Sequence, residues 1–366
     1  LNTMNDKKQD KHRATKLSKR SLLAAATTAF GNMKDWKADD LKSARSLVTM
    51  LKPKDLKELN PGVVKEALNN LGQEQWDEKR GKELVNKLRD TASGFGAVNT
   101  WTADTVKKLG NLRASLSKKE LDELPDDTLR DSVKDFGRTV LPLYKKRALG
   151  KRLKTLYGHP RHWTRDEIKN ASNLLGGIET RELDEIDNTA LLEALPEVRD
   201  IKLPKHKARV LAKKIQQTMG DVQNWDINSV KQIGPLIRDL PSATLEMLNP
   251  NEAKEAIKML RSEADVPKSK KRVLIKKSMS GGNQSRLPIK EFGDFVSEFP
   301  IRKLKNINNV DDILPTDVFD NSSDSDNVTD ESMPHWRAVQ ARTLLGDVIL
   351  KPEHWGPVSE LSGNWE

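Results

Sequence analysis

Cysteine is absent from all 366 residues. That excludes disulfides, thiolate metal sites and cysteine nucleophiles, and as a sign of redox compartment it points towards the cytosol. There is no apolar run of the roughly 18 residues a bilayer-spanning helix requires, and no charged-then-apolar start of the signal-peptide kind. The chain opens at Leu1, which reads as an excised piece of a longer protein, so missing targeting signals and a missing lipid-anchor tail say little about a parent. Aromatic residues make up 5% and hydrophobic residues 36%, too little for one large globular core. The 32% charged residues suit thin helical layers with much exposed surface.

Catalytic constellations are missing too. The six histidines are scattered, and His159 and His162 sit beside Pro160 without an acidic ligand set. No glycine-rich phosphate loop, nucleophile elbow or H-E-x-x-H helix occurs. The expectation is a protein that is not an enzyme and takes no cofactor or metal.

What the chain does have is a period. Trp36, Trp101, Trp163 and Trp225 are separated by 65, 62 and 62 residues, and Gly31, Gly96, Gly158 and Gly220 stand five positions before them. Each glycine follows a large apolar residue: Phe30, Phe95, Tyr157 or Met219. Five, eight and fifteen residues after the tryptophans the positions stay apolar, as in Val106, Leu109 and Leu116, a spacing that predicts one face of a helix. Leu121 with Leu124 and Leu183 with Ile186 then mark a second, short helix, and Val133 or Ala194 with Leu195 a third. Ser117 with Glu120 and Thr164 with Glu167 fit capping boxes. Buried aromatics at helical spacing are core residues, and a glycine five before each is a left-handed helix terminus.

A fifth, degenerate copy follows if Leu287 takes the tryptophan position, and Trp355 begins a sixth. The expected division is 14–78, 79–143, 144–204, 205–267, a degenerate 268–319, a disordered acidic insert 320–331 and the start of a further unit at 332–366. The fold class predicted is all-α: a right-handed superhelical solenoid of armadillo- or HEAT-like repeats of about 62 residues, each stacking on its neighbours because none can bury its apolar face alone.

The net charge is +10, which favours anionic partners. Each unit ends in a basic helix, carrying Lys145, Lys146 and Arg147, then Lys205, Lys207 and Arg209, then Lys270, Lys271 and Arg272. Two readings stand: a solvated face, or a ladder of cations that binds an anionic partner. Residues 267–273, PKSKKRV, also resemble a nuclear-import or protease-processing signal. Asn170, Asn283, Asn321 and Asn327 begin N-x-S/T sequons compatible with secretion.

The segment WTADTVKKLGNLRASLSKKELDELP, Trp101 to Pro125, and more weakly Trp225 to Pro250, resembles the mesothelin, otoancorin and stereocilin family. The resemblance implies armadillo-like repeats on a cell-surface or secreted glycoprotein, often lipid-anchored, that mediates adhesion between cells or to an extracellular gel. It implies a protein or acidic glycoprotein partner and no catalytic residues. The alternative is an intracellular scaffold in cytoplasm or nucleus, binding protein or nucleic acid, although no polar-aromatic triplet recurs as in one-base-per-repeat readers.

Overall fold

The computed structural model describes residues 27–263, 265–280 and 289–298, together with 21, 24 and 25. Every element among the described residues is an α- or 3-10 helix. Leu287, Trp355, the insert 320–331 and the sequons at Asn283, Asn321 and Asn327 lie outside them.

Each tryptophan closes a short turn. Gly31, Gly96, Gly158 and Gly220 have φ of 73°, 79°, 79° and 86°, and a one-turn 3-10 helix follows, as at Met33–Asp35 and Pro160–His162. The indole then folds back under the turn, where Trp36, Trp101 and Trp163 donate Nε1–H to the carbonyls of Gly31, Gly96 and Gly158 at 3.0–3.1 Å. Phe30, Phe95 and Tyr157 meet these indoles edge-on, with centroids 5.3–6.3 Å apart. The core assignment of the tryptophans holds, for all four are 1–3% exposed. Trp225 Nε1 alone finds no acceptor.

The glycine conformation differs from the one expected. Gly158 pairs φ 79° with ψ −165°, outside the left-handed helical region and in a region essentially restricted to glycine. A Cβ on Gly31, Gly158 or Gly220 would meet nothing within 4 Å, so backbone conformation, not space, demands the residue.

The long helix expected after each tryptophan is broken in two. After Trp101 an α-helix, Ala103–Lys108, gives way to a 3-10 helix, Gly110–Ser115. Arg165–Ala171 likewise yields to Ser172–Gly177, and Ile227–Ile233 to Gly234–Asp239. The break falls where Gly110, Ser172 and Gly234 take positive φ of 52°, 39° and 59°. At the first of these breaks another backbone lies close: the Gly72 carbonyl accepts from Asn111 N–H at 2.6 Å, and a Cβ on Gly110 would lie 2.1 Å from that oxygen. Leu116, Ile178 and Leu240 therefore sit just beyond the 3-10 helix, still buried but not on the first helix.

Gly293, with φ 48°, carries the same signature in the last described helix, Ile289–Glu298.

The chain divides into two compact units, Leu1–Lys207 and Ala208–Glu366. In the first, the Glu78–Leu88 helix packs on Pro53–Glu58 and on the 3-10 helix Gly110–Ser115. The Leu143–Tyr157 helix does the same with Lys118–Glu123 and Ser172–Gly177. Leu84, Val85, Leu149 and Leu153 fill these contacts at 0% exposure. In the second unit the Lys268–Ser278 helix packs on Ser242–Leu245, Pro250–Leu260 and Ile289–Glu298, burying Leu274, Ile275, Phe292 and Phe295.

Candidate functional site

The basic helices carry two kinds of cation. Forty-four residues after Trp36, Trp101 and Trp163 stand Arg80, Lys145 and Lys207, and one residue later after Trp225 stands Lys270. Lys145, Lys207 and Lys270 are 1%, 5% and 8% exposed. Each turns inward to the end of a 3-10 helix, where the last carbonyls lack helical partners and carry the negative end of the backbone dipoles. Lys145 Nζ donates to Ala114 O at 2.6 Å. Lys207 Nζ donates to Gly176 O at 2.7 Å and also to Ile178 O. Lys270 Nζ donates to Arg238 O, and Arg80 Nε to Leu51 O at 2.6 Å. Burial holds the Lys145 ammonium below its ordinary pKa. Burial and then the Arg147 charge do the same to Lys207, with Glu179 and Glu182 opposing.

These lysines are structural pins, which corrects the reading of Lys145, Lys207 and Lys270 as rungs of a solvent-facing ladder. Lys271 leaves it as well, being 7% exposed with Nζ 5.4 Å from the Phe295 ring centre. Arg272 is exposed but paired with Glu298 at 2.7 Å. Lys270 and Lys271 sit inside the folded Lys268–Ser278 helix, so residues 267–273 do not offer the extended, accessible strand that an import receptor or processing protease grips. Asn170 is half-buried in the last turn of the Arg165–Ala171 helix. The signal for the pins was present in sequence: a basic residue recurs 44 or 45 positions after each tryptophan.

What remains open is the outer face. Arg147, Lys205 and Arg209 are exposed and Lys146 half-buried, the last held below its ordinary pKa by burial. In the first unit Arg147 and Lys151 line a cleft of about 340 Å³ together with Gly150, Gly177, Thr180 and His206. Lys154 crosses it to Glu182 at 2.6 Å. Both expected capping boxes are in place, with Ser117 N–H on Glu120 Oε2 and Thr164 N–H on Glu167 Oε2, each at 2.7 Å. Among the described residues no cluster of three or more His, Asp or Glu is arranged to hold a metal, and no helix is long and apolar enough to cross a membrane.

Among the described residues every element is helical, and the recurring motif builds turns and buried basic contacts. A family model described as stereocilin matches residues 2–254, more than two thirds of the chain, and the chain belongs to that family. Membership points to an extracellular, non-catalytic protein. No curated protein and no solved structure matches the chain.

Proposed function

We propose that the chain is a non-catalytic adhesion protein of the cell surface or extracellular space, a solenoid of about 62-residue helical repeats that presents its outer face to an acidic glycoprotein. The observation that carries this reading is the division of labour on the basic helices. The pinned lysines are used internally, while Arg147, Lys151 and Lys205 are exposed and Lys146 half-buried, with no hydrogen-bond or ion-pair partner among the described residues. The solenoid is supported by matching contacts at matching offsets. In the first unit a basic side chain seals each of the three six-residue 3-10 helices, Arg45–Met50, Gly110–Ser115 and Ser172–Gly177, and Gly72 and Gly137 meet the backbone of the following segment, where added Cβ atoms would lie 2.7 Å and 2.3 Å from Lys108 O and Asn170 O. In the second, Gly293 meets Arg261 in the same way.

The test is display of the chain on cells and measurement of their attachment to surfaces coated with sialylated or sulfated glycoprotein, before and after enzymatic removal of the acidic sugars. Attachment that depends on those sugars supports the reading, and attachment indifferent to them overturns it. The competing reading, an intracellular scaffold, rests on the absence of cysteine. It wins if random single-stranded RNA of equal charge outcompetes the glycan tenfold, about 1.4 kcal/mol.

A further inference from the structure

We propose that the turn joining the Asp126–Arg138 and Leu143–Tyr157 helices docks on a lipid surface carrying anionic headgroups. Val140 and Leu143 enter the apolar layer, and Arg138 and Arg147 meet the headgroups. Neither apolar side chain takes part in the proposed adhesion to glycoprotein.

Single exposed apolar residues are common on protein surfaces and mean little there. Here the other copies of the motif supply a comparison. Val140, Leu143 and Tyr144 stand five, two and one residues before the pinned Lys145 and are 87%, 38% and 50% exposed. The same three positions before Arg80, Lys207 and Lys270 are exposed as well. Before Lys207 they hold Lys202, Lys205 and His206, and before Arg80 and Lys270 all six are likewise polar or charged. The fold therefore accepts polar residues at each position, and the apolar trio answers to something outside it.

The turn is held while Val140 stands free. On either side of it Thr139 and Leu141 are buried, and Thr139 Oγ1 accepts from Arg113 Nε at 3.1 Å and donates to Asp135 O at 2.7 Å. The Tyr144 hydroxyl donates to Glu78 Oε1 at 3.3 Å, and Lys145 Nζ lies 5.6 Å from the tyrosine ring centre. Docking has little backbone left to order, which keeps its entropic cost low.

Shape and charge choose the occupant. At 87% exposure Val140 lines no groove, so a peptide finds no pocket there to fill, whereas a fluid bilayer closes around a projecting side chain. Tyrosine suits the boundary between headgroups and acyl chains, being apolar at the ring and polar at the hydroxyl. From Phe136 to Arg165 there is no acidic residue. Within that stretch Lys145, Arg152 and Lys154 are used on Ala114 O, Asp126 and Glu182. Arg138 and Arg147 are exposed and Lys146 half-buried, with no hydrogen-bond or ion-pair partner among the described residues. Such a surface is drawn to anionic headgroups. It is repelled by a second copy of itself, because a two-fold pair would set cations against cations.

Because the chain contains no cysteine, a single introduced one carries a label to one place. Val140→Cys and Lys202→Cys, its counterpart in the next copy, are each coupled to an environment-sensitive dye. Both are titrated with vesicles of phosphatidylcholine, pure or mixed with phosphatidylserine. The expected result is a blue shift at position 140 on the mixed vesicles, with none at position 202 and at least tenfold weaker binding to the pure ones. In cosedimentation with mixed vesicles the unlabelled double variant Val140→Gln, Leu143→Gln, which keeps the charge, should bind at least tenfold more weakly, about 1.4 kcal/mol, with unchanged thermal melting. Arg138→Gln with Arg147→Gln should also weaken binding and flatten its dependence on salt. Full binding by the Val140→Gln, Leu143→Gln variant, or equal shifts at positions 140 and 202, would reduce the association to net charge and overturn the proposal. A shift at position 140 that grows with protein concentration without lipid would assign the turn to a second copy, and an equal shift on poly-glutamate would assign it to an acidic protein. Either result overturns the lipid surface, as does the absence of binding to both kinds of vesicle.

Discussion

The inner and outer faces of the Leu143–Tyr157 helix carry the same residue types to opposite ends. Lys145 is 1% exposed and hydrogen-bonded to a carbonyl 31 residues earlier in the chain, while Arg147 and Lys151 on the other side stand in solvent. Composition does not separate them, because a helical rotation of about 200° over two residues moves a side chain from one face to the other. A basic helix is therefore not a basic surface. Part of its charge caps the ends of neighbouring helices, and only the rest is available to a partner.

The inner face should be costly to damage, beginning with its anchor. Trp163→Ala, at the turn that ends this helix, is expected to lose roughly 3–5 kcal/mol in urea unfolding, from lost transfer energy plus a cavity. A loss near zero would place the indole outside the core. Next come the pins. Lys207→Met strips the donor from two carbonyls in a buried site and should lose roughly 2–3 kcal/mol, and Lys145→Met, with one carbonyl, roughly 1–2. Charge reversal at Lys207 or Lys271 should do more harm still, because a carboxylate would face carbonyl oxygens or an aromatic ring. If either methionine variant melts like the wild type, the pins contribute nothing to stability and the two faces are energetically alike.

Smaller effects sharpen the same contrast. Gly158→Ala should lose about 1–3 kcal/mol through backbone strain alone, and Gly158→Asn should not rescue it, since asparagine eases only the left-handed helical region. Recovery with asparagine would show that the turn relaxes to that conformation. On the outer face Arg147→Ala and Lys151→Ala should each shift stability by less than about 0.5 kcal/mol, and a larger loss in chemical denaturation would mean these side chains pack.

The smallest effect is in pH. The Lys207 ammonium is lowered from 10.5 in the folded chain, so the unfolded chain keeps its proton to higher pH. Between the two values the unfolded state binds more protons, and stability rises with pH. The gap between wild type and Lys207→Met should therefore widen slightly as pH climbs towards the ordinary lysine value of 10.5. A gap that narrows would mean the carbonyl cage outweighs burial.

The sequence by itself determined the helical class, the tryptophan turns, the two capping boxes and the family. These follow from short-range rules: a glycine that must take positive φ, an indole long enough to reach a carbonyl five residues back, and a serine or threonine three residues before a glutamate. Only the tertiary structure decided where the first helix breaks and which lysines are buried. Gly110 has positive φ because the Gly72 carbonyl, 38 residues away, leaves no room for a Cβ and takes the Asn111 N–H. Lys145 is buried because the open end of a 3-10 helix, 31 residues before it, lies within reach of its ammonium. Both depend on separations of about half a segment, and a pattern of apolar residues records which face is buried without recording what is buried against it.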